Sequence, residues 1–245
     1  FSWAWAGMAS AAAEAMAMVL QHEPNADNLP IHPAVFFLDY GHLLLRAGQP
    51  ELALVPLKRS VKIQPSSSGF LGLGNAASQL GNNEQALQAW KAALKEAPSN
   101  AAARRALAND ALQNAKPNEA LDWLKPLAES PRLSAGTAYL FQRAYSGLKD
   151  EVGIKAWTEK TAVLRKKEEF RSSLDAMITD DPDGFWARVA RTHDYASQGN
   201  WDQAESLLPS ILQDAPGDPF IIELADAVRR RVELPAIEQI PISQN

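Results

Sequence analysis

Small and large residues recur in this chain every 33 or 34 positions, and that period limits the fold more than any other feature. Leu73-Gly74-Asn75-Ala76 is followed by Gly81, Ala86, Trp90, Ala93 and Pro98. Shifted back by 33, the same places hold Gly41, Gly48, Ala53, Leu57, Ser60 and Pro65. Shifted forward by 34, they hold Ala108, Ala115, Ala120, Leu124 and Leu127, with Pro131 one place early. A weaker copy keeps Leu140, Tyr145, Gly153 and Trp157, and a further clear one has Tyr195, Gly199, Ala204, Leu208, Ile211 and Pro216.

The physics of these places predicts two antiparallel helices per unit. Small residues let helix backbones approach closely, and large ones such as Trp90 and Leu208 fill the gap to the next unit. Gly48, Gly81 and Gly199 are predicted to end the first helix in a left-handed turn, where a side chain costs about 1 kcal/mol. Pro65, Pro98 and Pro216 stop the second helix. The predicted pairs are 34–47 with 50–63, 67–80 with 83–96, 101–114 with 117–130, 134–148 with a long partner from about 150, and 185–198 with 201–214. Residues 218–233 read as a capping helix, with Phe220, Ile221, Leu224 and Val228 inward and Arg229, Arg230 and Arg231 toward water. No alternating strand pattern appears.

These residues resemble the tetratricopeptide repeat (TPR), of the bacterial type. The resemblance implies an all-α fold: an α-solenoid of helix-turn-helix repeats wound into a right-handed superhelix. The implied organisation is an N-terminal helix or partial repeat at 1–33, a repeat block at 34–149, and a long helical insertion at 150–184. A C-terminal repeat with its capping helix at 185–233 and an extended tail at 234–245 complete it. The insertion, seen in the spacing of 50 from Lys149 to Gly199, is read as one long helix or as two broken near Lys166. Its apolar positions include Val152, Ala156, Leu164, Phe170, Leu174, Met177 and Ile178.

The first twenty residues carry one charge, Glu14, and no basic run, so they read as a buried helix and not a signal peptide. Gly7, Ala12, Met16 and Pro24 also fit the fifteenth, twentieth, twenty-fourth and thirty-second places. On that register Phe1–Ala6 ends an earlier helix and the chain starts inside a repeat. A chain beginning with Phe reads as a processed product or an excised piece.

Composition narrows the function classes. A net charge of −5 argues against nucleic acid, whose affinity comes from Lys and Arg meeting phosphates. The absence of cysteine excludes disulfides and thiolate metal sites, and slightly favours an extracytoplasmic (periplasmic) location over the cytoplasm. Membrane association is expected only through a missing segment or a partner. Gly72-Leu73-Gly74-Asn75-Ala76-Ala77 matches the dinucleotide pattern G-x-G-x-x-A, but inside a predicted helix. Asp181, Asp183 and Gly184 resemble part of a calcium loop, but Ala190 stands where a bidentate Glu is required. His22, His32, His42 and His193 have no partner at metal spacing. No catalytic residue, cofactor or metal is therefore expected. Most of the seven Trp read as core, with Trp186 the best candidate for exposure.

What remains is a stripe. The resemblance implies that the second, fifth, ninth and thirteenth places of each first helix line a concave groove. The ninth places hold His42, Asn75, Asn109, Gln142 and His193, the thirteenth hold Arg46, Gln79, Gln113 and Ser197, and Arg105 is a fifth place. An Asn amide both donates and accepts, which suits a peptide backbone. A clamp for a terminal carboxylate would need basic residues where Ala135 and Tyr139 stand. The expected function is a non-catalytic scaffold that takes a partner polypeptide in this groove within a multiprotein complex. The alternative is an accessory repeat domain of a larger enzyme or of a membrane, secretion or glycan-assembly machine.

Overall fold

The computed structural model describes residues 2–240, with side chains from Gly7 onward. Among them, twelve α-helices and two short 3-10 turns account for the regular structure, and no strand is present. The order is α1 (Ser2–His22), α2 (Pro33–Arg46), α3 (Pro50–Ile63), α4 (Ser67–Gln79), α5 (Asn83–Glu96), α6 (Ala101–Gln113) and α7 (Pro117–Leu124). Then come α8 (Ala135–Leu148), α9 (Glu151–Asp180), α10 (Phe185–Ser197), α11 (Trp201–Asp214) and α12 (Pro219–Arg230). The chain divides into two compact units, Phe1–Thr158 and Glu159–Asn245.

Each first helix of a pair ends in the same way. Gly48, Gly81 and Gly199 have φ of +73°, +76° and +79°. The next amide then bonds back five residues: Gln49 N to Leu44 O at 2.9 Å, Asn82 N to Ala77 O and Asn200 N to Tyr195 O both at 2.8 Å. This Schellman arrangement satisfies carbonyls that the helix leaves open. Ala115 and Lys149 hold the same place in the third and fourth copies, with φ of +55° and +57° despite their side chains. The second helices end on Gln64, Ala97 and Ala215, each extended at φ near −140°. Each precedes a proline, whose ring excludes the helical region for its predecessor.

In the first unit α2–α3, α4–α5 and α6–α7 are neighbouring pairs, and α8 packs on the first turns of α9. Close approach rests on glycine. A side chain at Gly41 would overlap Leu57, and one at Gly74 would overlap the Trp90 ring. Three buried glycines in α4, Gly69, Gly72 and Gly74, lower its helix propensity by about 1 kcal/mol each. The G-x-G pair is therefore a packing surface, with Gly72 against Leu57 and His42. Ser60 stands where three other copies carry Ala93, Leu127 and Ile211, and its hydroxyl donates to the Ala34 carbonyl at 2.8 Å. The fourth copy differs: Phe141 and Trp157 stack face to face at 3.8 Å, and Gly153 lies under Tyr145.

In the second unit, Val189, Leu208, Ile211, Ile221, Leu224 and Val228 form the core, joined by Leu174 of α9. Phe220, Ile221, Leu224 and Val228 of α12 are buried, as their spacing predicts, while Arg230 and Arg231 reach exposed partners, Asp226 and Asp202.

Several expectations are corrected. Helix α1 runs from Ser2 through Gly7 to His22 without a turn, so Ser2–Ala6 is not the end of a separate helix, and Phe1 lies outside the described residues. Its outer face is open, with Met8 57% and Met18 62% exposed, so it is only half-buried. Helix α7 stops at Leu124 instead of 130, because Pro126 lacks the N–H that the next turn needs, and a 3-10 turn over Lys125–Leu127 follows. Of the two readings of the insertion, one long helix is the one present, since α9 is continuous across Lys166. Its apolar positions Val152 and Ala156 face solvent. Trp186 is half-buried, edge-on to Phe185 at 4.7 Å.

Candidate functional site

Successive first helices, α2, α4, α6 and α8, carry the stripe of the first unit: His42 and Arg46 on α2, Asn75 and Gln79 on α4, Arg105, Asn109 and Gln113 on α6, and Gln142 on α8. The outer members, Arg46, Gln79 and Gln113, are exposed, and the ninth-place residues are half-buried.

The half-buried members already have work within the fold. Asn75 Oδ1 accepts from the Trp90 indole at 3.0 Å. The Asn75 amide therefore does not point away from the helix interface, contrary to the placing of this position in the groove alone. His42 leans over Gly72, where an added Cβ would come within 3.0 Å of its Nε2. Asn109 Oδ1 accepts from Arg143 Nη1 at 3.0 Å, which links α6 to α8. Nothing in the period singles out Arg143, since it lies one place past the ninth. Arg105 Nη1 reaches the Ser134 hydroxyl at 3.5 Å, and the same oxygen accepts from the Thr137 amide and caps α8.

Charge is the distinctive property of this α6–α8 patch. Arg105 and Arg143 are both half-buried, and neither has a carboxylate partner among the described residues. Arg105 and Asn109 are four apart on one helix face, about 6 Å between their Cβ atoms. Both guanidinium groups are bonded to neutral oxygens across the α6–α8 interface. A half-buried cation without a counter-ion attracts an anion through Coulomb attraction, and because folding has already removed part of its water, less desolvation remains to offset that attraction.

The remaining candidates fall elsewhere. His193 of the second unit approaches the Pro235 carbonyl at 2.9 Å. His32 caps α2, its Nδ1 accepting from the Ala34 amide at 3.2 Å. Asp181 and Asp183 belong to the turn into α10, where Arg191 pairs with Asp183 at 3.6 Å. Among the described residues no group of His, Asp and Glu could hold a metal ion, and no helix is long and apolar enough to cross a membrane. A separate apolar hollow of about 310 Å³ lies between α3, α4 and α5, lined by Leu54, Lys58, Phe70, Leu73, Gln88 and Ala92.

Comparison with known proteins supports the architecture. No protein-family profile matches the chain, and no curated protein matches it. Solved structures do. The C-terminal part of a TPR repeat-containing protein from Cytophaga hutchinsonii superposes with a TM-score of 0.55 at 14% identity, covering 87% of this chain and 93% of that one. A tetratricopeptide repeat protein from Parabacteroides merdae gives 0.52 at 15% identity, with 94% and 86% covered. A chain of the APC/C hetero-tetramer Cut9–Hcn1 gives 0.52 at 14% identity. This chain is 94% covered in that match and spans 49% of the longer one.

Proposed function

We propose that this chain, whose fold is that of the tetratricopeptide repeats, is a non-catalytic scaffold that binds an acidic segment of a partner polypeptide along α2, α4, α6 and α8. The observation that carries the reading is the pair Arg105 and Arg143, half-buried on facing helices and bonded only to neutral oxygens. A charge-assisted hydrogen bond contributes about 1.5–3 kcal/mol, against about 1 for a neutral one. Exposed Gln79, Gln113 and Arg46 extend the line with donors and acceptors for the backbone of the same segment. The Cut9–Hcn1 hetero-tetramer, to which one structural neighbour belongs, supports placing this chain in a multiprotein complex.

The test is titration with a labelled peptide carrying Asp and Glu at alternate positions, against the wild type and Arg105→Ala with Arg143→Ala. Binding is expected to fall at least about tenfold in the double variant, the equivalent of about 1.4 kcal/mol. It should also weaken as salt rises. Melting serves as the control. Equal affinity in both proteins overturns the reading and moves the interface to another surface, with the hollow between α3, α4 and α5 the next to test.

A further inference from the structure

After α12 the chain reverses. Arg231 takes a left-handed conformation, φ +54°, and the Val232 amide bonds to the Ala227 carbonyl at 3.1 Å. Up to Ile240 the described segment that follows has no helix apart from one 3-10 turn at Ile237–Gln239, yet it does not leave the surface. Leu234 and Ile237 are half-buried against the core of the second unit, and Ile240 is 2% exposed. Pro235 is buried as well. Two side chains from different helices hold this segment. His193 of α10 bonds to the Pro235 carbonyl at 2.9 Å, and Lys167 of α9 pairs with Glu238 at 3.8 Å. A carbonyl can only accept, so His193 donates from Nε2.

His193 occupies the ninth place of its helix, one of the places that the tetratricopeptide resemblance implies for a groove. Here it grips a peptide backbone, and the peptide is the chain's own. We infer that the α9–α10 face of the second unit is a binding surface for an extended apolar segment of a partner protein, and that Leu234–Ile240 is its occupant in cis. The segment defines the ligand: large aliphatic residues three apart (Leu234, Ile237, Ile240), a proline after the first, and an acid beside the second. Aliphatic anchors fill the apolar surface, His193 fixes the backbone, and Lys167 selects the acid. The polar ties are few, and the Lys167–Glu238 pair is solvent-exposed, so it adds little. Apolar burial of Leu234, Ile237 and Ile240 keeps the tail in place, helped by covalent attachment, which raises its effective concentration to about the millimolar range. A partner segment binds once the tail yields.

The inference is independent of the arginine pair of the first unit, and its test leaves those residues untouched. The probe is a labelled synthetic peptide spanning Glu233–Asn245. The proteins are the full chain and the full chain carrying Leu234→Ser with Ile237→Ser, which weakens tail docking but keeps every helix. The variant is expected to bind the peptide at least about tenfold more tightly than the wild type, because apparent affinity scales with the fraction of open sites. A chain ending at Val232 should match the variant. A peptide with Ile237→Ser and Ile240→Ser should not bind. Equal binding by wild type and variant overturns the inference. So does loss of helical signal in the variant without a gain in binding, which would make the tail an integral part of the core. A wild-type dimer with exchanged tails also overturns it, because the occupant would then be a second copy of the chain.

Discussion

Asn75 and Trp90 are joined across the α4–α5 interface by a hydrogen bond of 3.0 Å, with the indole N–H donating to the amide oxygen. Trp90 is 5% exposed, so water has little access to its N–H. A residue that the tetratricopeptide resemblance implies for the groove thus also satisfies the buried indole of the α4–α5 pair. Removing one partner leaves the other unsatisfied, at a cost of about 1–3 kcal/mol. Asn75→Ala should therefore lower the melting temperature, by about 2–4 °C per kcal/mol for a chain of this size. In a Trp90→Phe background the same change should cost clearly less, because no indole N–H remains. Calorimetry on the four proteins measures the coupling, and additive effects would show that the bond contributes nothing.

Two glycines should respond to alanine with opposite signs. A methyl at Gly74 would enter the Trp90 ring, whereas nothing lies within 4 Å of one at Gly7. Gly74→Ala should destabilise by about 1–3 kcal/mol through overpacking, in spite of the better helix propensity. Gly7→Ala, inside α1, should stabilise by up to about 1 kcal/mol. Urea unfolding of both variants checks the signs.

Left-handed turn positions offer a stabilising change. Ala115 and Lys149 adopt φ of +55° and +57°, where three other copies have glycine. A Cβ in this conformation costs about 1 kcal/mol. Ala115→Gly and Lys149→Gly should each recover part of it, less the added freedom of glycine in the unfolded chain. Gly81→Ala should lose a similar amount. An unchanged urea midpoint for Ala115→Gly would show that the turn strain is relieved in some other way.

The helix pairs, their turns and their prolines were legible because each rests on a local rule: a small residue at a close approach, glycine at positive φ, proline after an extended residue. Gly48, Gly81 and Gly199, and Gln64, Ala97 and Ala215 before their prolines, obey those rules one by one. Helix α7 escaped because Pro126 falls inside a stretch whose apolar spacing still reads as helix. Pro56 and Pro209 sit within helices that continue, so proline alone does not mark the end. The stripe was legible only as a set of positions. A period says which place a residue fills, not which partner takes its hydrogen bonds. Asn75 with Trp90, and Asn109 with Arg143, are choices between helices that spacing along one helix does not carry. The packed tail was missed for a similar reason: Leu234, Ile237 and Ile240 are too few to form a periodic run, and their burial depends on surfaces far away in sequence.

The fourth copy supports a last prediction. In the first three copies a small residue, Gly41, Gly74 or Ala108, packs with a large one, Leu57, Trp90 or Leu124. Here two large rings meet instead, Phe141 and Trp157, stacked at 3.8 Å with 5° between their planes. Phe141 is 2% exposed, so its truncation leaves a cavity that the rigid helices cannot close. Phe141→Ala should cost about 3–5 kcal/mol, and Trp157→Ala, at a half-buried ring, less. The two changes should not add, since the ring pair itself contributes about 0.5–1.5 kcal/mol beyond burial. Phe141 lies two residues before Arg143 on α8. Loosening α8 should therefore also weaken the acidic peptide at temperatures where the chain is still folded, whereas Trp90→Phe on α5 should leave that binding unchanged. Melting curves and peptide titrations on the same samples separate the two effects. If Phe141→Ala lowers stability but binds the peptide like the wild type, Arg143 is held by Asn109 alone and the ring pair serves only the fold.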